Sequence, residues 1–293
     1  MSRDRTWTIL DVLKWTTSFF ESHGVESPRI SSELLLAHVL CAKRLDLYLR
    51  YDQPLSSDEL ARFRKLVLRR RNHEPVAYIT GTKEFWGMEI EVTPDVLIPR
   101  PDTESLVETA LFFLEKECCS NIYEPATGSG AVILAIAANV SAPCRFFASD
   151  RFPSALEVAR RNAVRHNLVD MVSFFASDWF SALTPSHGLF FDMIVANPPY
   201  IASDDIERLD PQVSVFEPRH AIDGGPDGLD HVRCVVRDAW PFLKPGGVLL
   251  LEIGWDQKED VYNIAKNIGG YSEIGFEKDL AGHNRVAHMR KCS

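Results

Sequence analysis

Short apolar runs and helical patterns alternate along the chain after residue 120, and this alternation restricts the possible folds more than any other feature. The apolar runs cover residues 121–125, 145–149, 172–176, 191–196 and 248–253. Helical periodicity covers residues 131–139, 153–166 and 229–243 between them. Strands that alternate with helices predict a mostly parallel sheet with helices on both faces. Such a sheet binds ligands at the carboxyl ends of its strands, where the strand order reverses.

The first part of the chain has a different character. Residues 1–75 have the periodicity of helices joined by short loops, and Ser56 with Glu59 predicts a capping box. No residue type in this region suggests catalysis, so we expect a recognition domain. The periodicity changes over residues 76–100, where the segment Glu84–Pro94 alternates around a glycine and predicts a β-hairpin linker. Residues 101–293 then form the α/β domain.

Composition excludes several classes of protein. Of the 293 residues, 45% are hydrophobic and 25% charged, which is typical of a globular chain with a substantial core. The formal net charge of −9 argues against duplex DNA as the partner, because phosphate binding usually requires a basic excess. No apolar run is long enough to cross a bilayer, and the first residues lack the apolar stretch of a signal peptide. We therefore expect a cytoplasmic protein without a membrane partner.

The cysteines predict neither a disulfide framework nor a zinc site. Their spacing is irregular, and we interpret them as reduced thiols without a structural metal. They are Cys41, Cys118, Cys119, Cys144, Cys234 and Cys292.

One basic cluster lies within a single predicted helix. It consists of Arg62, Arg64, Lys65, Arg69, Arg70 and Arg71. Two interpretations stay open: a solvated helix face, or a docking surface for an acidic partner or RNA.

The ends of the first three predicted strands carry residues suited to a nucleoside. Gly128 and Gly130 permit a tight turn and a close backbone approach to a ligand. Asp150 follows the second strand, where a carboxylate would accept from both ribose hydroxyls. Asp178 could accept from an adenine amino group, and Trp179 could cover the face of the base. Since the glycine loop lacks the lysine of a phosphate-binding loop, the site favours S-adenosylmethionine over ATP or NAD.

The fourth strand ends in Asn197-Pro-Pro-Tyr200, which predicts the reaction. The Asn197 side-chain oxygen and the Pro198 carbonyl could accept both N–H groups of a planar amide and orient its nitrogen towards the sulfonium methyl. Pro198 and Pro199 make the turn rigid, and Tyr200 can pack on the planar group. Catalysis would then depend mainly on positioning rather than on a general base.

The whole chain resembles the release factor glutamine methyltransferase family, also called PrmC or HemK. Besides Asn197-Pro-Pro-Tyr200, the matching segments are Pro75-Val-Ala-Tyr-Ile-Thr-Gly81, Glu84-Phe-Trp-Gly87, Leu97-Ile-Pro-Arg-Pro-Asp-Thr-Glu104, Phe216-Glu-Pro-Arg-His-Ala221, Asp223-Gly-Gly-Pro-Asp-Gly228 and Leu243-Lys-Pro-Gly-Gly247. The resemblance implies a helical N-terminal domain, a hairpin linker and a Rossmann-like S-adenosylmethionine-dependent methyltransferase domain with an antiparallel final hairpin. It also implies methylation of the glutamine side chain in the Gly-Gly-Gln motif of bacterial class I release factors, in support of translation termination.

The resemblance also implies roles for individual residues. The expected donor-binding residues are Ala126, Thr127, Gly128, Ser129, Gly130, Asp150, Asp178, Trp179 and Asn197. The expected substrate-binding residues are Asn197, Pro198, Pro199 and Tyr200, of which Asn197, Pro198 and Tyr200 are the expected catalytic residues. We expect a monomer with the release factor as protein substrate and no stable nucleic-acid partner. The family's glycine loop usually begins Asp-Leu-Gly, whereas this chain has Glu124-Pro-Ala126, and alanine tolerates a positive φ less well than glycine.

Several neighbouring residues have two interpretations. Arg100, Asp102 and Glu104 could line the substrate entrance, or Asp102 could cap its helix and pair with Arg100. We expect Glu217 and Arg219 to form an ion pair that braces the active-site loop, and His220 to be structural. The glycines at 224, 225 and 228 suggest a mobile loop over the site.

Two other functions stay open at this point. The Asn-Pro-Pro-Tyr segment also occurs in amino-methyltransferases that act on adenine or guanine, so a nucleic-acid substrate is the first alternative. Such enzymes must extrude the base and usually surround the site with basic surface, which the C-terminal half lacks. The second alternative is a scaffold that keeps the fold without catalysis, although such a scaffold need not keep both Asn197 and Tyr200.

Overall fold

The computed structural model describes residues 6–116, 121–140, 143–185 and 190–292. The chain divides into two units, each with its own core. The helical unit comprises Met1–Gly81 and Asp210–Phe216. The sheet unit comprises Thr82–Leu209 and Glu217–Ser293.

The helical unit contains the helices α1 (Ile9–Ser22), α2 (Pro28–Val39), α3 (Arg44–Leu49), α4 (Ser57–Arg71) and α5 (Val76–Thr80). The capping box predicted at the start of α4 is present. The Ser56 hydroxyl accepts from the Glu59 backbone N–H at 3.3 Å, and the Glu59 carboxylate accepts from the Ser56 backbone N–H at 2.8 Å. These bonds satisfy backbone donors that have no partner within the helix. The apolar faces enclose a core that includes Ile9, Phe20, Leu35, Leu36, Phe63 and Val67.

A buried carboxylate of the helical unit, Glu33, is surrounded by donors. It accepts from Arg29 at 3.0 Å, from Arg44 at 2.6 Å and from the hydroxyl of Tyr48. Burial alone would raise the pKa of Glu33, but the hydrogen bonds from Tyr48, Arg44 and Arg29 outweigh that effect and lower it. The negative charge of Glu33 therefore helps to hold α2 and α3 together within this unit.

Arg70 of the basic cluster is also buried, which the sequence interpretation did not foresee. Its guanidinium donates to the carbonyls of Glu26 and Glu74 at 3.1 Å and to the Gln212 side chain at 3.2 Å. Gln212 lies in Asp210–Phe216, so Arg70 joins the two chain segments of the helical unit. The remaining members of the cluster, Arg62, Arg64, Lys65, Arg69 and Arg71, are exposed.

The sheet unit begins with the predicted hairpin, formed by β1 (Thr82–Phe85) and β2 (Met88–Glu91). The two residues of its turn, Trp86 and Gly87, both have positive φ, 51° and 71°. A two-residue turn of this kind matches the twist of antiparallel strands.

A seven-stranded sheet forms the centre of this unit. Its strands are β3 (Asn121–Glu124), β4 (Arg145–Asp150), β5 (Val172–Ala176), β6 (Phe191–Ala196), β7 (Leu243–Glu252), β8 (Tyr271–Lys278) and β9 (Asn284–Lys291), in the order β5-β4-β3-β6-β7-β9-β8. The strands β5, β4, β3, β6 and β7 are parallel, and β9 is antiparallel to both β7 and β8. The helices between strands are α6 (Glu104–Lys116), α7 (Ala131–Asn139), α8 (Pro153–Arg165), α10 (Asp230–Ala239) and α11 (Lys258–Ile268), while α9 (Pro211–Ser214) belongs to the helical unit. The predicted α/β fold with an antiparallel final hairpin is confirmed.

The strand order positions a ligand site. From β3 the chain adds β4 and β5 on one side, and it then returns to place β6 on the other side of β3, so the strand order reverses between β3 and β6. Loops that follow these two strands leave in opposite directions, so a crevice opens at their carboxyl ends. The crevice lies where the sequence analysis placed the nucleoside and amide sites.

The described ranges contain no helix that combines the length and the apolar character needed to cross a membrane. The same ranges contain no group of three or more metal-ligating side chains placed to hold an ion. Cys41, Cys144, Cys234 and Cys292 are free thiols. Cys118 and Cys119 lie outside the described residues.

Candidate active site

The loop after β3 forms one wall of a cavity at the carboxyl ends of the strands. Ala126, Thr127, Gly128 and Ser129 line this cavity. The loop is held by backbone bonds, since the N–H of Thr127 donates to the carbonyl of Ser149 at 2.9 Å. Ala126 and Gly128 both adopt φ of 55°, so the alanine takes the left-handed conformation that glycine accepts more easily.

Glu124, the last residue of β3, supports this loop from below. Its carboxyl accepts from the Thr127 hydroxyl and from the backbone N–H of Ile133 at 3.3 Å, near the start of α7. Burial raises the pKa of Glu124 to about 8. The side chain therefore holds the loop against the helix and also lines the cavity.

Gly130 has a different environment from the rest of the loop. It does not line the cavity, and a Cβ at this position would lie 3.2 Å from the Cβ of Ala159 in α8. With φ of 79°, it ends the loop and lets α7 approach α8 closely. The structure thus shows a packing reason for this glycine.

Asp150, the last residue of β4, lies between the glycine loop and the cavity. One carboxylate oxygen accepts from the Gly128 N–H and the other from the Phe152 N–H, both at 2.9 Å. Burial raises the pKa of Asp150, and these two donors together with His220 oppose the effect. A carboxylate has about four lone-pair sites, so two remain for hydroxyl groups of a ligand.

The end of β5 contributes Asp178 and Trp179, which both line the cavity. Trp179 has a positive φ of 53°, and its carbonyl accepts from the Tyr123 hydroxyl at 2.9 Å. Its ring lies 5.5 Å from that of His231, which gives the cavity an aromatic wall. His220 forms another wall, with its ring 3.9 Å from that of Phe152. Both aromatic pairs offer flat surfaces to a base.

The Asn-Pro-Pro-Tyr turn is divided between the cavity and the protein interior. Asn197 and Pro199 line the cavity, whereas Pro198 and Tyr200 are absent from its lining. The Asn197 amide donates through Nδ2 to the Thr103 hydroxyl at 3.3 Å. Tyr200 donates its hydroxyl to Oε1 of Glu252 at 3.1 Å, so its ring is anchored to β7.

The ion pairs around the site differ from those expected. Glu217 pairs with Arg100, at 2.5 Å, and accepts from the Ile98 N–H at 3.4 Å. Arg219 pairs instead with Asp223 at 3.1 Å. The expected Glu217–Arg219 pair was therefore wrong, although Glu217 does brace the segment before the site.

The other residues considered at the entrance also have structural partners. Asp102 pairs with Arg285 at 3.2 Å and not with Arg100. Glu104 accepts from the backbone N–H of Trp86 at 2.9 Å, which ties α6 to the hairpin turn.

The glycine-rich segment after the site makes several hydrogen bonds to its surroundings. The N–H of Gly224 donates to the Ile201 carbonyl at 2.7 Å. The Gln257 side chain donates to the carbonyls of Tyr200 and Gly228 at 2.9 and 3.2 Å. A Cβ at Gly228 would lie 2.5 Å from the Tyr200 carbonyl oxygen, so the glycine permits this close approach. These contacts brace the segment behind the Asn-Pro-Pro-Tyr turn, and the mobility expected of it stays a prediction.

Comparisons with known proteins agree with this architecture. A family model described as the PrmC N-terminal domain matches residues 11–81, and one described as the methyltransferase small domain matches residues 112–210. The release factor glutamine methyltransferase of Geobacter sulfurreducens is 42% identical over 97% of this chain and 97% of its own length. That of Rhodopirellula baltica is 37% identical over 99% of this chain and 98% of its own length. The chain belongs to the release factor glutamine methyltransferase family.

A solved structure extends the likeness to the fold. The hMettl16 catalytic domain has a TM-score of 0.55 to this chain at 16% identity, covering 82% of this chain and 84% of that one. Membership of the release factor glutamine methyltransferase family confirms the predicted family and enzyme class. It also confirms S-adenosylmethionine as the predicted methyl donor.

The sequence analysis missed the cavity walls Phe152 and His231, and it missed Thr103 and Glu252, which contact the Asn-Pro-Pro-Tyr turn. Thr103 lies in the matched segment before α6, but nothing in its neighbours indicates that it contacts Asn197. Glu252 carried a signal, because it ends the buried apolar run Val248–Leu251. A carboxylate at the end of such a strand usually has a partner or a function.

Proposed function

We propose that this protein transfers a methyl group from S-adenosylmethionine to the side-chain amide nitrogen of a release-factor glutamine. We further propose that this glutamine belongs to the Gly-Gly-Gln motif of class I release factors, and that the reaction supports translation termination in the cytoplasm. The observation that carries the proposal is that Asn197 and Pro199 share one cavity with Gly128 and Asp150. A residue suited to hold an amide therefore adjoins residues suited to hold a nucleoside.

The side chains that line the cavity suit the chemical groups of the methyl donor. Its lining includes four aspartates, Asp95, Asp150, Asp178 and Asp223, besides Glu124, whose raised pKa keeps it mostly protonated at neutral pH. Two arginines also line it: Arg100 is paired with Glu217, and Arg151 lies 3.9 Å from Asp178. Asp223 is paired with Arg219, so Asp95 and Asp150 are the lining carboxylates without an arginine partner in the described residues. An acidic cavity favours a ligand with a positive sulfonium, while Asp150 and the aromatic walls suit a ribose and a base.

The expected role of Asn197 is to orient the acceptor. An amide nitrogen is a weak nucleophile because its lone pair is delocalised into the carbonyl. When bound, S-adenosylmethionine supplies a methyl group on a positively charged sulfur, so a nitrogen–carbon bond forms as the carbon–sulfur bond breaks and one N–H proton leaves to solvent. Asn197 Oδ1 would accept from one N–H group and hold the nitrogen in line. The Pro198 carbonyl, predicted as the second acceptor, is absent from the lining of the cavity.

The helical region, residues 1–75, is proposed to recognise the release factor, with residues 76–100 as linker and residues 101–293 as the methyltransferase domain. The helical unit carries an exposed aromatic surface that supports this role. Trp15 is 52% exposed and stacks on Phe19 at 5.0 Å, with Trp7 against its edge at 6.5 Å. Exposed tryptophans are common anchors at protein interfaces.

Mass spectrometry tests the function directly. Purified protein, S-adenosylmethionine and a class I release factor should give a mass increase of one methyl group on the Gly-Gly-Gln glutamine. A release factor with asparagine at that position should stay unmodified. Methyl incorporation into that variant, or into added RNA or DNA instead of protein, would overturn the proposal.

A further inference from the structure

Glu252 is the least accessible carboxyl group near the Asn-Pro-Pro-Tyr turn. It ends β7 and is 0% exposed. Its Oε1 accepts from the Tyr200 hydroxyl at 3.1 Å. Its Oε2 is buried and makes no hydrogen bond within the described part of the chain. Burying a carboxyl group this deeply lowers the stability of the fold. Its position beneath the turn suggests that it has a functional role there.

Thr103 connects this carboxyl to the side chain that faces the cavity. The Thr103 hydroxyl interacts with Glu252 and lowers its pKa, against the larger effect of burial. The same hydroxyl oxygen accepts from Nδ2 of Asn197 at 3.3 Å. Glu252 thus reaches both polar side chains of the turn, Tyr200 directly and Asn197 through Thr103.

We infer that Glu252 is a positioning residue for the acceptor amide, which orients the Asn197 carboxamide through Thr103 and anchors the Tyr200 ring. This inference rests on the proposed methylation of a glutamine amide. Glu252 does not itself contact the cavity.

The direction of the hydrogen bonds follows from the donors available. A carboxylate only accepts, so in its interaction with Glu252 the Thr103 hydroxyl can act only as the donor. The Thr103 oxygen can then only accept, so Asn197 must turn its NH2 group towards it. This leaves Asn197 Oδ1 free to accept from an N–H of the substrate amide. A neutral group in place of the carboxylate could donate to Thr103 and permit the reverse orientation.

The charges around Glu252 make this direction sensitive to pH. Burial raises the pKa of Glu252 to about 7. Arg285 opposes this effect and Asp102 adds to it, while Tyr200 and Thr103 stabilise the carboxylate. As the pH falls through about 7, the carboxyl gains a proton and can donate, so turnover should fall with it.

The first test replaces the carboxylate by its isosteric amide. Glu252→Gln should lower kcat roughly 10²-fold while the KM for donor changes less than about twofold, because only the acceptor is misaligned. The fall in kcat on acidification seen for the wild type should be absent. Glu277→Gln is the matched control, since Glu277 lies on β8 with its side chain 57% exposed. A Glu252→Gln enzyme with wild-type kcat and pH profile would overturn the inference.

The second test does not depend on whether the Glu252→Gln variant folds, because it changes Thr103. Thr103→Val removes the hydroxyl at nearly constant volume and should lower kcat to a similar extent. Thr103→Ser keeps the hydroxyl and should recover most of the lost turnover. The Thr103→Val/Glu252→Gln double variant should be hardly worse than either single variant, because both interrupt one connection. Equal activity of the valine and serine variants would contradict the role.

The wild-type enzyme separates this inference from the proposed function. If the wild type does not methylate the release factor, the function itself fails. If it does and the Glu252 and Thr103 variants match it, only the positioning role fails.

Discussion

Buried carboxyl groups behave differently in the two units. In the helical unit, Glu33 has two guanidinium partners and a hydroxyl partner, and its pKa is lowered. In the sheet unit, burial raises the pKa of Glu124 to about 8 and that of Glu252 to about 7. Desolvation acts on all three in the same sense, so the number and charge of the partners cause the difference.

The difference distinguishes a carboxylate that stabilises its unit, Glu33, from carboxyl groups that lie next to the ligand site, Glu124 and Glu252. The donors to Glu33 come from α2 and α3, and they saturate it within the unit. Glu124 and Glu252 end β3 and β7, and Glu252 retains an oxygen without a hydrogen bond in the described ranges. Perturbed groups of this kind concentrate at functional sites. The positions of these two carboxyl groups with raised pKa therefore indicate the same edge of the sheet as the cavity does.

The largest expected effect comes from the cavity side chain that these groups support. Asn197→Ala should lower kcat on the order of 10³-fold, about 4 kcal/mol, since it removes the acceptor that orients the amide. The affinity for S-adenosylhomocysteine, measured by calorimetry, should change less than about threefold. Asn139→Ala, an exposed position on α7, is the control. Turnover that survives the loss of Asn197 would show that positioning by this residue is not the source of catalysis.

The sequence sufficed for the parts of the site that depend on local pattern. Strand ends were predictable because polar residues follow apolar runs, and Ala126–Ser129, Asp150 and Trp179 indeed meet in one cavity. That the ligand site lies at the carboxyl ends of the strands follows from the parallel topology of the sheet alone.

The partners of these residues could not be predicted, because they are distant in the chain. Thr103 is 94 residues from Asn197, and Glu252 is 52 residues from Tyr200. The direction of the Tyr200 ring therefore depends on tertiary contacts. Glu217 was assigned to Arg219, two residues away, whereas its partner Arg100 lies 117 residues away.

Removing the charge of Glu33 in the helical unit should lower the free energy of unfolding without changing the binding of the methyl donor. Glu33→Gln should lower the free energy of unfolding by about 2 kcal/mol, less than for a fully enclosed pair because Arg29 and Arg44 can turn to water. Urea unfolding measures this, with Glu21→Gln on the exposed face of α1 as control. The affinity for S-adenosylmethionine should be unchanged. A loss of donor affinity without a loss of stability would remove the distinction between the two units.

The sheet unit should instead show a pH-dependent stability. The folded pKa of Glu124, about 8, exceeds the unfolded value of about 4.3, so the folded state binds the extra proton. Its contribution is complete below the unfolded pKa and is lost as the pH rises through about 8. Between pH 6.5 and 7.5 the free energy of unfolding should fall by about 1 kcal/mol from this group. Urea unfolding at several pH values should show a flatter curve for Glu124→Gln, and parallel curves would contradict the raised pKa.

The smallest expected effect concerns strain in the glycine loop. Ala126 has φ of 55°, which costs an alanine about 1 kcal/mol relative to glycine. Ala126→Gly should therefore raise the free energy of unfolding by roughly 0.5 kcal/mol, since greater freedom of the unfolded chain offsets part of the gain. Ala202→Gly is the matched control, because Ala202 has φ of −62° and glycine there should only destabilise. Thermal unfolding of both variants decides the question: equal destabilisation would show that the loop stores no strain at Ala126.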